Sequence, residues 1–142
     1  MGFSLVAAAA IIGVSVLMVI EIIVGTTIPT LTDIHDSFND MRNRSIDQVQ
    51  TDINITRVTV EVNGSDYDIN ITVENLGSIT LETTYFNILI NGTEKQFTYS
   101  TSYLYPEKVV YFNVYNLQGN GERRLKVVTD NGISDYYKFI LP

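Results

Sequence analysis

Cysteine is absent from the 142 residues, histidine occurs once, and no lysine or arginine precedes Arg42. The first absence excludes a disulfide framework and thiolate chemistry and leaves the redox compartment unread. The lone His35 lies ahead of the region where a compact domain can form, so Ser-His-Asp and Cys-His arrangements have no base inside it. Zinc lacks ligands for the same reason. No glycine-rich phosphate loop and no D-x-D-x-D-G calcium loop is present. Neither an enzyme nor a cofactor is expected. Basic residues are scarce as well: 9 Lys and Arg stand against 16 Asp and Glu, a net charge of −7. Such a balance argues against nucleic acid, whose binding leans on Lys and Arg, and against an anionic lipid surface as partner of the outer domain. A protein or a glycan is left.

What the chain does have is one long apolar run, Phe3 to Val24, broken by a single charge, Glu21. Wound as an α-helix, about twenty residues rise roughly 30 Å, the thickness of a bilayer's hydrocarbon core. A cleaved signal peptide would carry a basic start and a shorter core. A retained single-pass anchor is the expectation, with the N-terminus inside and the rest outside. Glu21 falls about 27 Å along the helix, near the far interface, where a carboxylate reaches headgroup water. The alternative is a polar contact with a partner helix. Ser4, Ala8, Ala9 and Gly13 recur at four-residue intervals and would admit a close neighbour along that side.

Gly25-Thr26-Thr27-Ile28-Pro29 predicts a bend or break, since Pro29 lacks an N–H and disfavours helix at Ile28. Thr30 and Asp33 resemble a capping pair for a new helix. Leu31, Ile34, Phe38 and Met41 then recur at spacings of three and four, the narrow stripe of an amphipathic helix reaching about Val49. The predicted organisation is a transmembrane helix over 1–25, a stalk helix over 26–50 and an extracytoplasmic β-domain over 51–142. His35, beside Asp36 on the stalk, is read as solvated surface.

From Ile53 the period changes to two. Val58, Val60 and Val62 alternate with polar residues, and Ile55 with Arg57 predicts a bulge. Tyr67, Ile69, Ile71 and Val73 form the return strand after the Asn63-Gly64 turn. Further strands are predicted over 81–91, 95–100, 109–115, 124–129 and 136–141, punctuated by Asn91-Gly92 and Asn131-Gly132. Seven or so short strands at this spacing indicate an antiparallel immunoglobulin-like sandwich. Asp66 and Asp68 are read as a solvated strand face. The nine tyrosines and six phenylalanines are read first as strand and core packing, second as interface.

Five N-x-S/T acceptors occur, at Asn43, Asn54, Asn63, Asn70 and Asn91. Chance would supply about two, so they favour an extracytoplasmic domain and are candidate glycosylation sites. Asn63 and Asn91 also have a second explanation, as turn residues needing positive φ.

Three stretches carry a family likeness: Val73-Glu74-Asn75-Leu76-Gly77-Ser78-Ile79-Thr80-Leu81, Tyr103-Leu104-Tyr105-Pro106-Glu107, and Lys126 through Asp135. Together with Met1-Gly2-Phe3-Ser4 running straight into an apolar helix, they make the chain resemble the archaellum accessory proteins, FlaF first and FlaG second. That resemblance implies a helix in the cytoplasmic membrane, a sandwich beneath the surface layer, attachment to surface-layer protein, and a stator role for the archaellum motor. It carries no catalytic residues. Other archaellum components, a FlaF- or FlaG-type partner and a homodimer through an edge strand are the further partners implied. The related filament-forming archaellins have a basic residue before a glycine cleavage site, and this chain has none before Arg42, which favours the accessory role. The alternatives are a FlaG-like or minor pilin-like subunit assembling through its front helix, and a surface adhesion module without a motor.

Overall fold

The computed structural model describes residues 1–142, which divide into two compact units, Met1–Asn43 and Arg44–Pro142. The first is helical. α1 spans Gly2–Ile22, a wide π-turn follows over Ile23–Thr27, and α2 spans Ile28–Gln50. The predicted bend or break at Gly25–Pro29 is thus a π-turn inside continuing helix. Pro29 removes one donor from the ladder, and threonine hydroxyls meet the carbonyls around the wide turn. Thr26 Oγ1 donates to Ile22 O at 2.6 Å and Thr30 Oγ1 to Thr26 O at 2.7 Å. Thr30 therefore bonds backwards into the preceding turn and does not cap a new helix. In α1, Ser15 Oγ likewise donates to Ile11 O at 2.8 Å, so that hydroxyl needs no water.

The second unit is β-structure apart from residues 44–50, the last turns of α2, and a 3₁₀ turn at Thr83–Tyr85. Its strands are β1 (Ile53–Asn63), β2 (Asp66–Asn75), β3 (Leu81–Glu82), β4 (Asn87–Ile90), β5 (Thr93–Lys95), β6 (Thr98–Tyr99), β7 (Tyr103–Leu104), β8 (Val109–Leu117), β9 (Gly121–Val128) and β10 (Ser134–Leu141). One sheet has the order β1-β2-β8-β6, the other β10-β9-β4-β5, and β3 pairs with β7 beside them. Immunoglobulin-type sandwiches place strands A, B, E and D in one sheet and C, F and G in the other. Here β1-β2-β8-β6 and β10-β9-β4 follow that order, and β5 extends the second sheet.

Alternation drives the packing. Ile69, Ile71 and Val73 from β2 and Val110, Phe112 and Val114 from β8 meet Ile88, Ile90, Leu125, Val127 and Phe139 of the opposite sheet. Phe112 lies at its centre, with Phe86 at 5.5 Å and Phe97 edge-on at 5.4 Å. The predicted bulge is present, as a register shift between Ile55 and Arg57. The Asp135 carboxylate of β10 accepts the Ile55 N–H at 2.8 Å, which ties the neighbouring edges of the two sheets together.

Two expectations need correction. Residues 81–91 do not form one strand: a 3₁₀ turn at Thr83–Tyr85 separates β3 from β4, held where buried Thr83 Oγ1 donates to Thr101 O. Nor does 95–100 simply pair back. β5 pairs with β4, and β6 crosses to pair with β8. The tyrosines also depart from the packing reading. In the sandwich Phe86, Phe112 and Phe139 are buried in the core, but Tyr85, Tyr99, Tyr103, Tyr105, Tyr111, Tyr115 and Tyr136 are exposed. On β8 the even positions 110, 112 and 114 face inward, so 111 and 115 must face out.

Candidate functional site

The three stretches that carry the family likeness are far apart in sequence and meet at one end of the sandwich, around residues 48–52. Asn75 is the hub. It is wholly buried, and its Nδ2 donates to Ile79 O at 2.8 Å and to Leu104 O at 3.0 Å, while its Oδ1 accepts the Gly77 N–H at 2.9 Å. Its backbone N–H donates to Lys108 O, and its carbonyl accepts from Glu107. Every polar atom of the side chain is used. The turn that Asn75 shapes then grips the incoming chain: Leu76 and Gly77 N–H donate to Asp52 O, and Ser78 N–H donates to Gln50 O at 2.9 Å. Gly77 is required there by close approach, because a Cβ would collide with Gln50 O and Asp52 N.

The 126–135 segment closes the other side. Gln48 Nε2 donates to Asn131 O at 3.0 Å, Asn131 Nδ2 donates to Thr51 Oγ1, and Thr129 Oγ1 donates to Asn131 Oδ1 at 2.6 Å. Thr51 and Thr129 are themselves buried. Helix residues 47–50 are thereby fixed onto the sandwich from two sides. Sequence reading placed Asn131 in a turn and Asn75 in a stretch of family likeness, and missed that they are the hubs of this junction. The signal was the N-x-G pattern at 75–77, whose meaning depends on long-range partners.

The acceptor asparagines are scattered and form no common site. Asn43 lies on α2, Asn54 on β1 and Asn91 in the β4–β5 turn, all exposed. Asn63 Nδ2 donates to Asp68 Oδ2 at 2.9 Å, and Asn70 Nδ2 donates to Asn113 Oδ1 at 2.7 Å from a half-buried position. Asn91 has φ of 50° and Gly92 of 81°, the geometry of a two-residue hairpin turn, and Asn91 Oδ1 accepts the Arg124 N–H. Asp68 does more than solvate a strand face, since its Oδ1 also accepts the Asn116 N–H at 2.9 Å.

Along α1, Ser4, Ala8, Ala9 and Gly13 are exposed, as are the large apolar residues on every side of the helix. A helix that is apolar all round must be covered by lipid or by other protein. One helical stretch, within Gly2–Gln50, is long and apolar enough to cross a membrane. Glu21 sits about 12 Å further along the axis than Gly13 at 1.5 Å per residue, so the two are not brought together. On α2, Leu31, Ile34, Phe38 and Met41 form an exposed stripe, and His35 is exposed too.

Sequence comparison decides the family. A profile described as archaeal-type flagellin matches residues 2–139. The chain belongs to the archaeal-type flagellin family. No functionally curated protein matches the sequence. Among solved structures, the archaellum periplasmic stator protein FlaG from Sulfolobus acidocaldarius is similar, with a TM-score of 0.52 and 21% identity, over 63% of this chain and 99% of that one. The periplasmic stator complex of FlaF and FlaG from the same organism is matched with a TM-score of 0.49 and 21% identity, over 61% of this chain and 87% of that one. At such identity the first match establishes a shared fold. This member of the flagellin family thus joins an apolar N-terminal helix to an immunoglobulin-like sandwich.

Proposed function

We propose that this protein is a membrane-anchored archaellum stator component, whose outer sandwich binds surface-layer protein and holds the motor in the cell envelope. The observation that carries this reading is the sandwich itself, whose fold is shared along 99% of the FlaG stator chain. The family and the all-round apolar α1 support it. α1 would cross the cytoplasmic membrane once with the N-terminus inside. Residues 26–50 would form the stalk, and 51–142 would lie beneath the surface layer. A fixed point against which a motor turns must transmit lateral load from sandwich to helix, and the Asn75 and Asn131 contacts secure helix residues 47–50 to the sandwich. A homodimer would use the β1–β10 side, where the longer edge strands lie. β5 and β6 end the opposite edges with three and two residues.

The test uses the full chain in lipid nanodiscs against isolated surface-layer protein. Saturable binding is expected. Absence of binding by folded protein would overturn the reading. Family membership together with the exposed apolar helix favours a second reading, a FlaG-like or minor pilin-like subunit that assembles through α1. Filaments visible by electron microscopy after detergent removal would select it. A surface adhesion module without a motor is the remaining alternative. Its prediction is that the protein stays on the cell but copurifies with no archaellum component.

A further inference from the structure

The outer face of the β10-β9-β4-β5 sheet holds a cleft of about 320 Å³ lined by Leu89, Asn91, Gly92, Arg124, Lys126 and Tyr136. Arg124 Cζ stands 4.5 Å from the Tyr136 ring centroid and Lys126 Nζ 5.3 Å. Both cations are thus steadied by one aromatic face, a contact that orients them and consumes none of their donors. Neither side chain makes an ion pair. Lys138, their neighbour on β10, is different: its ammonium is taken by Glu122 at 2.9 Å. Across the sheet, Glu94 is separated from Lys126 by Leu89, which is in register with both. Asp135 is spent on the Ile55 N–H.

Beside this cleft, past the Asn91-Gly92 turn, Lys95 and Arg123 line a second cleft with no carboxylate in its wall. Four of the chain's nine basic residues therefore surround one hairpin, in a protein of net charge −7. The opposite outer face, on β1 and β2, carries Glu61, Asp66, Asp68 and Glu74 against Arg57 alone. This segregation gives the hairpin end the sign that complements an acidic surface.

We propose that the Arg124–Lys126–Tyr136 cleft is a carboxylate-recognition site through which the sandwich docks an acidic protein surface. The choice of a protein partner rests on the reading that the outer domain binds an envelope protein. Arg124 offers a planar fork of donors suited to a carboxylate, and Lys126 adds a point charge from the adjoining row. Asn91, whose Oδ1 is occupied by the Arg124 N–H, keeps its amide N–H₂ available at the cleft wall.

Full-length protein in nanodiscs of uncharged lipid is tested against poly-L-glutamate, polygalacturonate and isolated surface-layer protein. Poly-L-glutamate should bind, more weakly in 0.5 M salt than at low ionic strength. The doubly reversed Arg124→Glu/Lys126→Glu protein should lose roughly tenfold or more in affinity. Arg124→Gln/Lys126→Gln, which adds no new charge, should lose about as much while keeping its near-ultraviolet circular dichroism. Tyr136→Phe should retain binding, Tyr136→Ala should weaken it, and Glu122→Gln/Lys138→Gln, which removes a neutral pair, should leave it nearly unchanged. No binding to poly-L-glutamate, or binding indifferent to these substitutions, overturns the proposal. So does polygalacturonate binding as tightly with the same dependence, which would make the site a glycan site. Surface-layer protein that binds wild type and the reversed variant equally also overturns the cleft while leaving the stator reading in place. If surface-layer protein fails to bind but poly-L-glutamate binds through Arg124 and Lys126, the cleft stands and the stator reading falls.

Discussion

Replacing Asn75 tests whether the buried hub or the surrounding β-ladder holds the junction together. Asn75→Ala removes three hydrogen bonds and leaves the Ile79 and Leu104 carbonyls without their side-chain donor at a site with no exposure. The Gly77 N–H is partly protected, because it also donates to Asp52 O at 3.0 Å. Leu104 keeps its partner across the β3–β7 ladder, so one orphaned carbonyl at about 1–3 kcal/mol and one further lost hydrogen bond at about 0.5–1.5 kcal/mol give a loss of about 2–4 kcal/mol. For a sandwich of this size, that corresponds to a fall in Tm on the order of 10–25 °C. Asn75→Asp is nearly the same shape and should cost more, since its carboxylate faces two carbonyl oxygens and donates to neither. Asn70→Ala is the control. It removes a side-chain pair on the outer face and should cost about 1 kcal/mol or less. Urea unfolding of the 44–142 fragment, followed by tyrosine circular dichroism, measures all three. The reasoning fails if Asn75→Ala lies within about 1 kcal/mol of wild type, or if Asn75→Asp is the milder change.

Three further outcomes follow from the geometry. Gly77→Ala forces a Cβ into Gln50 O and Asp52 N, and should cost about 1–3 kcal/mol with hydrogen-exchange protection lost first at residues 76–78. Glu107 has φ of +60° after Pro106, the position of a type II turn that glycine prefers, so Glu107→Gly should raise the urea midpoint by about 0.5–1 kcal/mol equivalent. On native material, mass spectrometry should find glycan at Asn54, whose amide is exposed and unengaged, in preference to Asn63 and Asn70, whose Nδ2 atoms already donate; occupancy concentrated at Asn70 would contradict this ordering.

The sandwich was largely legible in the residues because its longer strands alternate and their turns are chemically explicit. Asn91-Gly92 adopts the positive φ values its sequence demands, and Ile55-Arg57 carries the bulge that its broken alternation signals. Strand switching was not legible. Residues 81–91 are β-rich throughout, and long-range bonds from Thr83 to Thr101 and Ser102 hold their middle as 3₁₀. Continuity of the helix across Pro29 was hidden too, since it depends on threonines at 26 and 30 bonding to carbonyls one turn back. As for the candidate sites, Asn131 looked like a turn residue and Asn75 went unremarked, because a single sequence gives no sign of what such a residue touches. Arg124, Lys126 and Tyr136 are separated by up to twelve positions, and only the β9–β10 register makes them neighbours.

The junction constrains its residues more tightly than the core does. Core positions on β2, β8 and β9 accept any apolar residue of suitable volume, so they specify a sandwich without specifying which one. The residues around 48–52 are under tighter constraint. Asn75 must present two N–H donors and one acceptor at fixed directions, Gly77 must lack a Cβ, and Asn131 must bridge Thr51 and Thr129. Aspartate in place of either asparagine loses the donors, and alanine loses everything. The Gln48–Asn131 and Gln50–Ser78 bonds hold the helix tail and not the apolar core, so shearing the tail would leave the packing of the core side chains in place. Retaining a polar, fully satisfied clasp there makes physical sense if the helix and the sandwich are pulled against each other. Load-dependent detachment of residues 44–50 in single-molecule force measurements, at lower force in Asn131→Ala than in wild type, is the behaviour that separates such a clasp from an ordinary loop.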